Sequence, residues 1–282
     1  METPKLVKKR RVLRSRALVL YISLGMFAAL LIIAAYALFL NEARVTFSVN
    51  PLLRNLPPSW KYPLGTDAFG RNLIYVIPIA IKNDLFVAFF AGALHILVGV
   101  SVGSVAAIFR GKVEEVLMRI TDVFLAIPGL VLALAISGTL GHTFLDLVIA
   151  LSVGGWGYLA RITRSEVLSE MNKPYAEMLR VLGFSKARIL FRHILRNIAF
   201  FLASVIFLTL SALVGFLAAL EYIGFAIGSL SPELGALIAQ GQPYIFTDQW
   251  LLIIPACFLI FIITTFMLIS DEIRYFDPRK NV

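Results

Sequence analysis

ALVLYISLGMFAALLIIAAYALFL, residues 17–40, decides the fold class. The stretch carries no charged side chain. As a helix rising about 1.5 Å per residue, it is longer than the roughly 30 Å hydrocarbon core of a bilayer. Further apolar runs follow at 85–109, 123–140, 144–159, 198–220 and 250–270. His95 interrupts the second, Pro128 sits near the start of the third, and Pro255 lies inside the sixth. The fourth is the most polar, with Asp146 at one end and Gly154, Gly155 and Gly157 at the other. The expected fold class is an all-α polytopic membrane protein with six transmembrane helices.

Composition agrees. Hydrophobic residues make up 59% of the 282-residue chain and charged residues 15%, against about 25% charged in soluble domains. That balance argues against an ordinary soluble enzyme, a disordered chain and a disulfide scaffold. The single cysteine, Cys257, cannot form a bridge within the chain and sits in an apolar run as a small hydrophobe does. His95, His142 and His193 are too scattered to make a metal-ligand cluster.

The formal net charge of +9 is distributed asymmetrically. Seven Lys and Arg precede residue 17, three lie in 110–122, eight in 161–197 and three after 270. The opposite side has five, all in 41–84, and none lies in 221–249. Basic residues mark cytoplasmic loops, so both termini are expected in the cytoplasm. The charge then reports topology and contact with anionic lipid. A nucleic-acid partner is not expected, because that needs a folded basic surface with stacking aromatics. Ala35-Tyr36-Ala37 resembles a signal-peptidase site, but the apolar run before it exceeds the 7–15 residues of a signal core. The first run therefore reads as an uncleaved anchor. The expected organisation is a basic cytoplasmic N-terminus (1–16), an anchoring helix (17–40), an extracytoplasmic segment (41–84), a core (85–270) containing a cytoplasmic loop at 161–197, and a cytoplasmic tail (271–282).

Within 41–84, Pro51, Pro57, Pro58 and Pro63 disfavour a continuous helix. Thr66 or Asp67 is placed to cap a short helix running to Arg71, with Asp67 and Arg71 at ion-pair spacing. Gly99, Gly103 and Ala107 put small residues on one face of the second run, which suits close helix packing. His95 is read as the only ionisable residue deep in a run. It is either functional by virtue of its depth or a neutral ring bonded to a neighbouring helix. Ser101, Ser104, Ser152, Thr209, Ser211, Thr264 and Thr265 either line a pathway or bond between helices.

The loop 161–197 is the most informative. Tyr175, Met178, Leu179 and Leu182 fall on one side of a helix, with Glu177 and Arg180 on the other. Gly183 breaks that helix as a C′ residue does. Ser185 can cap a second helix through Ile189, Leu190 and His193. The pattern predicts two short helices joined at a glycine. They form either a docking lever for a soluble partner or a surface element lying on anionic headgroups. The chain has no phosphate-binding G-x-x-x-x-G-K-[ST] run and no Ser/His/Asp or Cys/His set at an arranged spacing. It is therefore expected to be non-catalytic.

Here the chain resembles a known family. Glu177-Met178-Leu179, Gly183 and His193-Ile194-Leu195 resemble the cytoplasmic EAA loop of ABC importer permeases. Met178 and Leu179 stand where the family has alanines, His193 where it has isoleucine, and Arg196 where it has proline. Pro63-Leu64-Gly65-Thr66-Asp67 with Gly70-Arg71, Met118-Arg119 with Asp122 and Pro128, and Trp156 to Arg164 resemble the dipeptide/oligopeptide (peptide/nickel) branch. So do His193 to Asn197, Ile223-Gly224-Phe225 and Phe276-Asp277-Pro278-Arg279. The chain looks most like the C-type subunit, although Glu221-Tyr222 replaces the branch's usual Ser/Asp-Phe.

The resemblance implies the type I permease fold of ABC importers in a prokaryotic plasma membrane. It implies a second permease subunit, as a heterodimer, one or two cytoplasmic ABC ATPases, and an extracytoplasmic substrate-binding protein facing 41–84 and 221–249. ATP and magnesium would sit on the ATPases and no cofactor on this chain. Ala176, Glu177, Met178, Leu179, Arg180, Leu182 and Gly183 would form the coupling helix and its turn, with Lys186 and Arg188 beside them. Glu177 would contact the ATPase and Gly183 permit the bend. Peptide is the cargo this implies. Oligosaccharide carriage by the same importer class is the alternative, and a stand-alone secondary transporter is a further one. The latter needs acidic residues within the membrane as an ion relay, and the apolar runs hold none at depth.

Overall fold

The computed structural model describes the backbone of residues 4–141, 143–228 and 230–281. Side chains are described over 18–279 apart from His142 and Ser229. The side chains of the basic residues Lys5 to Arg16, which carry part of the orientation argument, and His142 lie outside the described residues. In chain order the helices are α1 (Pro4–Phe39), α2 (Glu42–Thr46), α3 (Leu73–Phe109), α4 (Lys112–Ala126), α5 (Gly129–Leu140), α6 (Phe144–Met171) and α7 (Pro174–Val181). They continue with α8 (Lys186–Ile189), α9 (Leu195–Asn197), α10 (Ala199–Ile223), α11 (Leu234–Gly241) and α12 (Trp250–Tyr275). A π-helical turn, Leu190–Ile194, joins α8 to α9. The described residues hold no strand beyond an isolated bridge between Thr66 and Asn72.

Five helices are long and apolar enough to cross a bilayer, and a sixth crossing is reached by pairing α4 with α5. That pair is bent by 82°. The third expected span, 123–140, is therefore not one straight helix. Proline disfavours helical backbone at the residue before it, and Ile127 is extended before Pro128, the N-cap of α5. Other spans run past their apolar runs, α3 and α6 among them. α3 starts at Leu73 rather than 85, because the Asn72 side chain accepts the Ile74 N–H at 3.1 Å and caps it. α6 continues to Met171. Its start is fixed by a capping box in which Thr143 and Asp146 bond each other's backbone N–H, so Asp146 is a cap rather than a polar intrusion.

Close packing holds the bundle. α3 lies along α6, and the small residues read from the sequence are the reason. A β-carbon on Gly103 would stand 2.3 Å from the Ala160 carbonyl oxygen, and one on Gly99 would stand 2.8 Å from Leu159 Cβ. In lipid such van der Waals contact replaces the hydrophobic drive that water supplies. Two apolar clusters result. One joins α3, α6, α10 and α11 through Ile77, Leu147, Leu217 and Leu237. The other, through Val167, Met171, Leu190, Ile194 and Leu202, seats the connection between α6 and α10.

Candidate functional site

The α6–α10 connection follows from local rules. Pro174 occupies the first turn of α7, where its missing N–H costs nothing. α7 closes at Gly183, which has φ +81°. The Gly183 N–H reaches the Arg180 carbonyl at 3.0 Å and the Phe184 N–H reaches Leu179 at 3.1 Å, a Schellman closure. The Ser185 side chain then accepts the Arg188 N–H at 3.3 Å and starts α8. From the end of α8 onward, Ile189, Leu190, Ile194 and Ile198 are buried and anchor the return to α10.

The outer surface of this connection is bare. Met178 is 61% exposed, Val181 83%, Leu182 67% and Phe191 71%. Glu177, Lys186 and Arg188 are exposed around them, and the Arg188 guanidinium lies 5.6 Å above the Phe184 ring. The expected apolar side of α7 is thus divided. Tyr175 and Leu179 are half-buried and Ala176 is buried, while Met178 and Leu182 face away from the chain. A helix of two turns has room for only one seated stripe. Arg180 is exposed as well, and its guanidinium donates to the Met171 carbonyl at the end of α6.

Beneath α7 lies a group that sequence reasoning missed. The Glu170 carboxylate is buried and takes Lys173 Nζ at 2.5 Å, the Tyr175 hydroxyl at 2.7 Å and Asn197 Nδ2 at 3.5 Å. Burial, with the hydrogen bond to Glu170 next in size, pushes the Tyr175 phenol up to about 12. It therefore stays a donor at every working pH. The Glu170–Lys173 spacing was visible in the sequence, but nothing local pointed to Asn197.

The opposite end of the bundle is built differently. Asp67 and Arg71 pair at 2.6 Å, both buried, yet no helix joins them. Gly70 turns the chain at φ +78°, and Asp67 Oδ1 accepts the Phe69 and Arg71 N–H groups at 2.9 and 2.8 Å. Thr66 is not a cap. Its hydroxyl donates to the Leu53 carbonyl and accepts the Leu56 N–H at 2.8 Å. Arg71 Nη1 donates to the Leu230 carbonyl at 2.7 Å, tying this loop to the segment after α10.

Two buried carboxylates correct the sequence reading, which placed no acid deep in a run. Asp84 and Glu221 fall one residue outside the apolar runs, but α3 and α10 extend to enclose them. Each is met by an amide at the start of α11. The Leu234 N–H reaches Asp84 Oδ2 at 3.3 Å, and the Gly235 N–H reaches Glu221 Oε2 at 2.9 Å. The positive end of a helix is a favourable place for such groups. Glu233, beside them, accepts the Ile227 N–H at 2.8 Å. Its burial pushes the carboxyl up to about 7, against the opposing bonds from Ile227 and Ser231.

Between these ends His95 Nε2 stands 3.0 Å from the Leu151 carbonyl of α6. A carbonyl only accepts, so Nε2 carries the proton and the ring is bonded to a neighbouring helix, one of the two expected readings. The ring borders a cavity of about 370 Å³ with Gly129, Tyr158, Thr209 and Phe216. Ser211 bonds across to the Ile263 carbonyl of α12 at 3.2 Å, whereas Thr209 and Thr265 bond within their own helices. Among the described residues no group of three or more His, Cys, Asp or Glu is placed to hold a metal.

The family described as "Binding-protein-dependent transport system inner membrane component" matches residues 99–282. The oligopeptide transport system permease protein OppC of Bacillus subtilis (strain 168) is 29% identical over 239 residues, covering 84% of this chain and 78% of that protein. The dipeptide transport system permease protein DppC of Alkalihalophilus pseudofirmus is 28% identical over 268 residues, covering 93% and 83%. A solved inward-facing structure of the MetNI methionine ABC transporter shares the fold. Its TM-score is 0.61 at 19% identity, over 72% of this chain and 97% of that one.

Proposed function

The chain belongs to the family of binding-protein-dependent transport system inner membrane components, and from that premise we propose how it works as the permease subunit of a peptide importer. It is a multi-pass membrane subunit without catalysis of its own. The peptide cargo is supported by the names of the relatives it matches. In this reading one or two ABC ATPases, carrying ATP and magnesium, dock on α7 from the cytoplasm. A second permease subunit pairs with the bundle. A substrate-binding protein docks at the α11 end, where Trp60 and Phe246 are almost fully exposed. Both termini then lie in the cytoplasm.

The observation that carries this reading is the division of α7. Its seated side is anchored to α6, while Met178, Val181 and Leu182 stand in the open with Glu177, Lys186 and Arg188 around them. Apolar centres with a polar rim are what a protein interface uses. Closure of the ATPases on ATP would draw α7 inward. Because α7 is joined to α6 through the short Asn172–Lys173 turn and to α10 through α8 and α9, that displacement would tilt both and open the bundle alternately to its two sides. ATP can drive such a change only by favouring one conformation with a real free-energy difference.

The test is purification of the whole complex in mild detergent, with its proteins identified by mass, for wild type and Gly183→Asp. A β-carbon at Gly183 meets nothing within 4 Å, so the substitution strains the backbone by about 1–3 kcal/mol without a clash. The expected result is recovery of a second permease and ATPases with both forms, and loss of transport in the variant. Full transport by Gly183→Asp would refute the coupling role.

A further inference from the structure

The segment that follows α12 does more than end the bundle. Arg279 forks onto Asp277, with Nε at 3.1 Å from both carboxylate oxygens and Nη2 at 2.8 Å from Oδ2. Nη1 donates to Glu166 at 2.8 Å and stands 3.8 Å from Glu170. The guanidinium carbon lies 5.4 Å above the Phe201 ring. One side chain therefore touches α6 at two positions a turn apart, the first turn of α10, and the segment after α12. Asp277 is buried and Arg279 is 23% exposed in its side chain.

The arrangement has a logic. α12 packs along α10, α11 and α1, and Arg279 is a point at which its far end reaches α6. A guanidinium in a fork is held in one plane, so Asp277 fixes the direction in which Nη1 points at Glu166. Glu170, next along the same face of α6, is the acceptor that holds Tyr175 and Lys173 at the base of α7. The pull of Asp277 and Glu166 raises the Arg279 pKa further, so this charge is permanent.

We propose that Asp277 and Arg279 are positioning residues that strap the end of α12 to α6 beneath α7, so that displacement of α7 moves α6, α10 and α12 as one block. The proposal rests on the importer reading and adds a component to it. Without the strap the ATPases still dock and hydrolyse, because the exposed tip of α7 is untouched. The stroke is then absorbed by slippage between α6 and α12 rather than passed to the bundle. The signature is uncoupling rather than loss of assembly.

The experiment uses the full complex in proteoliposomes and reads peptide taken up per ATP hydrolysed, with assembled complex measured in parallel. Wild type is compared with Arg279→Gln, Glu166→Gln, their double variant and Phe201→Leu. Arg279→Gln is expected to assemble, to keep at least half the ATPase rate and to lose tenfold or more in uptake per ATP. Glu166→Gln is expected to shift the same ratio, and the double variant to be no worse than Arg279→Gln alone, because both act through one contact. Phe201→Leu leaves no charge unpaired and is expected to lower the ratio by a smaller factor. It and Glu166→Gln decide the matter should Arg279→Gln fail to assemble.

An unchanged ratio, additive losses, or uptake and hydrolysis falling together in proportion to recovered complex would overturn the strap. Absence of ATP-driven uptake in wild type would instead refute the importer reading.

Discussion

The two ends of the bundle handle polar groups in opposite ways. At the α11 end Asp67, Arg71, Asp84, Glu221 and Glu233 are almost wholly buried, and the carboxylates are met by backbone N–H groups from α11 or from turns around it. At the α7 end the buried carboxylate lies under the connection, at Glu170, while the tip carries exposed apolar side chains rimmed by Glu177, Lys186 and Arg188. Ala176 is the one buried residue described in α7. An end stitched by backbone bonds resists local opening, whereas a short helix with few buried contacts is free to move as a unit. The contrast is what a transporter needs if the drive enters at one end and a sealed structure stands at the other.

The largest effect that would break the comparison is at Arg71. Arg71→Ala leaves Asp67 buried without its cation and the Leu230 carbonyl without its donor. Removing one member of a buried pair costs about 3–5 kcal/mol. The complex is expected to lose that stability in thermal unfolding in detergent. A loss below about 1 kcal/mol would show that the α11 end is not the rigid one.

A smaller effect sharpens the same contrast through pH. Glu233 has its carboxyl raised to about 7 from an ordinary 4.5. A raised acid is protonated in both folded and unfolded states below about pH 4.5, and the unfolded chain ionises first as pH rises. Its contribution therefore falls between about pH 4.5 and 7 and is flat above that. The change is on the order of 3 kcal/mol. Glu233→Gln is expected to remove this part of the slope and to stabilise the α11 end at pH 7.5. An identical pH slope in the variant, read by hydrogen exchange of α11, would assign the dependence to other groups.

What was legible in the sequence was what local rules fix. Residues 17–40 needed only length and charge. Gly183 and Ser185 announced their turn and cap, because each bonds within a few positions. The Asp67–Arg71 spacing gave the ion pair but not its backbone, since the same spacing serves a turn once Gly70 takes positive φ. Apolar runs stopped at Asp84 and Glu221 because hydropathy counts a carboxylate as an end. It cannot see amides arriving from residues 234 and 235 to solvate one. Glu170 was invisible as a junction for the same reason, as Asn197 and Arg279 reach it only after folding. Pro128 was seen in the sequence, but its 82° consequence depends on what α4 and α5 pack against.

The central claim is that the exposed tip of α7 is where the ATPases hold this chain. The most direct measurement places a photo-crosslinking residue at Val181, 83% exposed, in the assembled complex, with the same residue at Trp60 as the comparison. The account predicts a covalent adduct between position 181 and an ABC ATPase, altered in yield when ATP is added, and none to the ATPase from position 60. Adducts from position 181 to lipid alone, in a complex that retains its ATPases, would contradict it.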